Sequence, residues 1–180
     1  MSVINWKNIH HFVPSEFPQD PELAEPKLIY TLDKLRESYG APVYPSPVKG
    51  ALARFGGSKT SQHYVGEDKN HIIQNTQGID VFPEGIPIHF YSCCIRHKCI
   101  KGIGVYLDTN GADGKPWVMF HIDVRKLGYK INIPLIWIAE KVLCPENNKL
   151  KTKYRYPQLK SKYWSLLRDE RLYTVRKREN

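Results

Sequence analysis

WVMFHIDVR, residues 117–125, decides how this chain is read. Its alternation predicts a strand with Val118, Phe120, Ile122 and Val124 on one side. Trp117, Met119, His121, Asp123 and Arg125 share the other. The first set is a core face. The second gathers a histidine, an acid and a base where packing alone would call for simple polar residues. One face is for packing and the other for something else.

Working outward, IGVYL (103–107) predicts a partner strand. DTNGADGK between the two is turn chemistry several times over, so the pair reads as a β-hairpin. GIDVF (78–82) reads as a buried strand with Asp80 opposite to Ile79 and Val81. An aspartate between β-branched residues is disfavoured in a strand, and burying its charge is costly unless it is paired or binds a cation. GGSKTSQHYVG (56–66) adds His63 in a loop of small hydroxyl residues. His63, Asp80 and His121 can be three ligands of one ion, and two imidazoles with a carboxylate and an open position suit catalytic zinc. They can equally be a loop histidine, a salt-bridged aspartate and a satisfied core histidine; composition alone favours this plainer reading.

The chain has 180 residues, 41% hydrophobic and 12% aromatic, enough for one folded domain and an appended tail. PELAEPKLIYTLDKLRESYG predicts a helix carrying Leu28, Tyr30, Leu32 and Leu35 and stopped by Gly40. ALARF (51–55) predicts a helical turn, IHFYSCCIRHK a second helix, and INIPLIWIAEKVL an apolar helix or a strand-to-helix segment. Cys93, Cys94 and Cys99 with His97 could form a metal cluster, but the segment reads better as an apolar element with cysteines as small hydrophobes. No apolar run is long enough to span a bilayer. The first residues lack the pattern of a signal peptide, so synthesis in the cytoplasm is expected.

Net charge is +9, and its location matters: from Lys149 onward there are eleven Lys and Arg against three acids. The charge step sets the expected organisation, residues 1–148 as a domain and 149–180 as a basic, aromatic extension packed on it or appended to it. Basic residues there interleave with Tyr154, Tyr156, Tyr163 and Trp164, a mix suited to an anionic polymer. A solvated helix whose aromatics pack on the domain is the plainer alternative.

GGSKTSQH, QGIDVF, GIGVY and WVMFHIDVR occur in that order, and in this the chain resembles the zinc D-alanyl-D-alanine peptidases, a family that includes carboxypeptidases and many phage endolysins. The resemblance spans about residues 25–125. It implies an α+β fold of the Hedgehog/DD-peptidase kind, a small antiparallel sheet with flanking helices. It implies zinc on His63, Asp80 and His121, and stem peptides of bacterial peptidoglycan as substrate, cut at the cell wall after release or from a phage particle. Three departures stand out. His63 and Asp80 are separated by an inserted loop, EDKNHIIQNTQ, whose His71 is a competing ligand. The arginine that grips a substrate carboxylate in relatives is absent from YPSPVKG, leaving Arg54 or Lys49 to substitute. The acid that many members carry three residues before the last histidine is Val118 here, leaving Asp123 or Glu84 as candidate proton acceptors; Asp123 can instead orient a ligand or pair with Arg125. Ser61 has no evident basic partner and is read as shaping the loop. Two alternatives to a peptidase remain: an inactive relative serving as a phage structural or cell-wall-binding module, and a nucleic-acid binder acting through the basic tail.

Overall fold

A computed structural model describes residues 3–56, 58–67, 73–110, 117–126, 134–145 and 149–156. The strand predicted from WVMFHIDVR is β7 (Met119–Asp123), and it lies inside a six-stranded sheet. The other strands are β1 (Val43–Pro45), β5 (Gly78–Pro83), β6 (Gly102–Tyr106), β8 (Leu135–Cys144) and β9 (Lys149–Arg155), in the order β1-β5-β7-β6-β8-β9. β7 runs antiparallel to β5 and β6, with Asp80 and Gly104 both opposite His121. A separate small sheet holds β2 (Arg54–Phe55), β3 (Tyr64–Glu67) and β4 (Ile73–Gln74).

Two helices complete the α+β fold. Helix α1 (Pro26–Tyr39) begins with proline at its first position, where the missing N–H costs nothing. Gly40 ends it in a left-handed conformation, φ 74°, and donates to the Arg36 carbonyl. Helix α2 is Pro87–Arg96. Leu28, Ile29, Leu32 and Leu35 of α1 and Phe90 and Cys94 of α2 are buried in one core with Ile79, Val81, Ile103, Val105, Phe120 and Ile122 from the sheet. Phe90 meets Phe120 edge-on at 5.0 Å between centroids. The core face of β7 is thus the one its alternation predicts, and the opposite face is left for His121 and Asp123.

Five expectations are corrected. INIPLIWIAEKVL, expected as an apolar helix or a strand-to-helix segment, is a strand, β8, from Leu135 onward. Trp137, Ile138 and Ala139 are all buried there, so the strand loses its alternation where it runs parallel to β6 and imitates a buried helix. That parallel pairing also makes the sheet mixed instead of wholly antiparallel. ALARF forms no helical turn: Ala51 and Leu52 lie in a bend, and Arg54–Phe55 is β2 beside β3. The basic extension, weighed also as a solvated helix, begins instead as β9, a strand exposed along its length and antiparallel to β8. The insertion between His63 and Asp80 is no plain loop: its ends pair as β3 and β4. His71, Tyr163 and Trp164 lie outside the described residues.

Glycines make the chemical face possible. A Cβ on Gly102 would fall 2.1 Å from Asp123 Oδ2, one on Gly104 2.6 Å from the Trp137 indole, and one on Gly78 2.7 Å from the His121 ring. Asp123 is clamped and cannot move aside. Gly102→Ala should therefore lower stability by about 1–3 kcal/mol through overpacking, whereas Gly40→Ala, with open space around it, should cost about 1 kcal/mol through backbone strain alone. Urea denaturation checks both; equal costs would show that Asp123 is not held as tightly as described.

Candidate metal centre

Three elements bring the ligands together. Asp80 projects from the centre of β5, whose residues are all buried. His121 is its cross-strand neighbour. His63 comes from the turn before β3 and is pinned by its backbone. Its carbonyl accepts from the Arg54 N–H at 2.6 Å, and the Gln62 carbonyl accepts from the N–H groups of Gln77 and Gly78 and from the Thr76 hydroxyl. The Ser61 hydroxyl accepts from the His63 N–H at 3.3 Å, which gives that serine the loop-shaping role.

His63 Nε2 lies 2.9 Å from His121 Nδ1 and 3.4 Å from Asp80 Oδ1, and His121 Nδ1 lies 3.0 Å from the same oxygen. On a tetrahedral zinc with bonds of about 2.0–2.1 Å, neighbouring ligand atoms sit about 3.3 Å apart. The triangle therefore has the size that such an ion requires. The outer nitrogens fix the tautomers. His63 Nδ1 faces the Leu52 carbonyl at 3.4 Å, and His121 Nε2 faces Asp123 Oδ2 at 3.3 Å. Both partners can only accept, so when the imidazoles are neutral their protons sit on the outer nitrogens and the inner ones present lone pairs. Two lone pairs and a carboxylate oxygen converge, an arrangement that is repulsive unless a cation lies between them. The group can hold a metal ion, and it is the one such group among the described residues. Cys93, Cys94, Cys99 and His97 form no comparable cluster there; Cys94 is buried as a small apolar side chain.

The site's electrostatics agree. Burial pushes the Asp80 carboxyl up, but hydrogen bonds from His121 and His63 outweigh it and hold the group well below the usual carboxylate range. Burial opposes charge on His121, yet its hydrogen bonds to Asp123 and Asp80 raise it to about 9. Without a metal, a proton on His121 supplies the missing positive charge.

Asp123 is fully buried behind His121 and accepts from Arg125 Nε at 2.8 Å and from Nη2. Burial would raise its pKa, but Arg125 and His121 lower it. Of its two expected roles, the geometry gives it the orienting one, because its carboxylate is engaged on the side of His121 away from Asp80. Glu84 is also turned elsewhere: its carboxylate accepts from the Tyr44 hydroxyl at 2.9 Å and its carbonyl from the Tyr39 hydroxyl. Lys49 is exposed and does not line the site.

The ligands open onto a cleft of about 530 Å³. Arg54 lines it, with Nε donating to the Gly50 carbonyl at 2.9 Å. So do residues that sequence reasoning did not assign to the site: Tyr106, Arg125, Trp137, Tyr154 of β9 and Tyr156 just after it. The aromatic interleaving of the tail was the visible signal for the last two; reading β8 as helix hid Trp137. Compared with known families, curated proteins and solved structures, the chain finds no match in any of the three.

Metal must displace the His121 proton, so between pH 7 and about 9 its apparent affinity should rise about tenfold per pH unit and then level off. Calorimetry in buffers of different ionisation enthalpy should count one proton released. In the metal-free protein the sign is opposite: the raised pKa stabilises the fold below about 6.5 and that contribution fades as pH climbs through about 9. Asp123→Asn should weaken metal binding or activity about 10–100-fold. Affinity independent of pH would contradict a protonated His121.

Proposed function

We propose that the protein is a zinc-dependent peptidase, built on a Hedgehog/DD-peptidase-like scaffold, that hydrolyses peptide bonds in bacterial peptidoglycan. The observation that carries this reading is the open side of the ligand triangle: His63, Asp80 and His121 are buried, yet their inner atoms face a cleft large enough for a peptide. A structural zinc site is closed by a fourth protein ligand, whereas a catalytic one leaves that position to solvent and substrate. The ordered resemblance of the four motifs supplies the substrate class.

His63, Asp80 and His121 would hold the ion, which lowers the pKa of a water molecule from about 15.7 towards about 7 and polarises a carbonyl. The remaining residues bind and orient. Arg54 offers a guanidinium fork to a peptide carboxylate. The Tyr106 phenol is pushed up to about 12, chiefly by burial, so it stays a hydrogen-bond donor at any working pH and can serve a carbonyl oxygen or a departing amine. Asp123 and Arg125 keep the His121 ring in register.

One observation favours a second reading, a metal-bearing wall-binding module without turnover. Among the described residues that line the cleft, Asp80 is the only carboxylate. Val118, where many family members carry their acid, is buried in the core.

Digestion of purified peptidoglycan, read by mass spectrometry, separates the two. The zinc-loaded protein should release new peptide termini, and His121→Ala or a chelator should abolish that release, with activity restored to the chelated wild type by added zinc. Zinc-dependent retention on the wall with no new termini would instead support the binding module. Affinity for nucleic acid that falls steeply with salt, with no wall activity, would contradict both.

A further inference from the structure

Strands β8 and β9 form a ribbon at the edge of the sheet, and its two faces differ. Cross-strand register puts Ala139, Lys141 and Leu143 on one face with Tyr154, Thr152 and Leu150, and alternation along β8 adds Trp137. Four cations of β9, Lys149, Lys151, Lys153 and Arg155, lie on the other. Among the described residues ten large hydrophobic side chains are exposed; four of them, Leu135, Leu143, Leu150 and Tyr154, share the first face, and a fifth, Tyr156, follows β9 directly and lines the same cleft as Tyr154. Their concentration there calls for a ligand. That face is also continuous with the metal centre: Trp137, Tyr154 and Tyr156 line its cleft.

The wall is built with care. Gly104 leaves room for the Trp137 indole, whose ring lies 5.2 Å from that of His121. Trp137 hydrogen-bonds to Tyr106, which also meets Tyr154. Beyond it Tyr154 and Tyr156 are 53% and 67% exposed and line the cleft together.

We propose that this face is a saccharide subsite, in which Tyr154 and Tyr156 stack on the sugar rings of a glycan that carries the peptide to be cut. The inference rests on the peptidase reading. A sugar ring has apolar C–H faces and a polar edge. Flat, rigid aromatic side chains match the faces at low entropic cost. Thr60, Ser61 and Gln62, which also line the cleft, offer hydrogen bonds to the edge. A polyanion fits less well, because the lysines of β9 point away from the cleft. From Tyr156 to Leu150 the strip runs about 20 Å, room for several sugar units.

The test has two arms on the full-length, zinc-loaded protein. In the first, an N-acetylglucosamine tetrasaccharide is titrated by calorimetry into the wild type, Tyr156→Ala and Tyr154→Ala/Tyr156→Ala, with melting temperature and zinc content recorded for each. The wild type should bind, and the double variant should bind at least about tenfold more weakly, the loss expected from two stacking rings. In the second, kcat/KM is compared for a glycan-linked and a sugar-free stem peptide. The ratio should favour the glycan-linked substrate and fall by at least about tenfold in the double variant. No saccharide binding by the wild type, equal binding by a folded double variant, or an unchanged substrate ratio overturns the subsite. So does salt-sensitive binding of a single-stranded oligonucleotide through the same tyrosines in place of the saccharide. If no peptide is cleaved at all, the peptidase reading fails while the titration still decides the subsite.

Discussion

The molecule is organised around a charge it cannot leave uncompensated. Asp80 sits on a fully buried strand between Ile79 and Val81, and its carboxylate faces the inner nitrogens of two imidazoles. Left alone, such a group would cost far more than a single packing interaction returns. A cation at the meeting point of the three atoms resolves it, whether a proton on His121 or a metal. The surrounding structure serves that convergence. Gly78 and Gly102 clear space for His121 and Asp123, Arg125 clamps Asp123, and the Gln62 carbonyl gathers three donors that fix the approach of His63.

This explains why the strand carrying His121 tolerates so many ionisable groups on one face. Asp123 and Arg125 form a neutral pair beneath the histidine, and Arg125 lies 5.6 Å from the Trp137 ring centroid. The support therefore continues from the ligand through a carboxylate and a guanidinium to the aromatic wall of the cleft. Metal position and cleft shape are coupled through these few side chains, while helices α1 and α2 pack against the opposite face of the sheet.

Much of this was legible in the sequence because strand periodicity carries direct information about faces. WVMFHIDVR announced its two sides, and Asp80 betrayed itself by interrupting a β-branched run. What could not be read was anything that depends on neighbours. Trp137 lies where both faces of β8 are covered, so its segment shows no alternation and imitates a helix. Asp123 is two residues from His121 on the same face, and spacing alone does not tell an orienting carboxylate from a reacting one; only the Arg125 clamp does. Tyr154 and Tyr156 stood out as aromatics among lysines, but their role at the cleft follows from the register of β9 on β8, which no local pattern encodes.

The account turns on one cation shared by residues 63, 80 and 121. The most direct measurement is anomalous diffraction at the zinc absorption edge from crystals of the zinc-loaded protein. The account predicts a single strong peak about 2.0–2.1 Å from His63 Nε2, His121 Nδ1 and an Asp80 carboxylate oxygen, with density for a further ligand on the cleft side. A peak coordinated by other residues, or imidazoles that bind Asp80 and leave the ion outside, would contradict it.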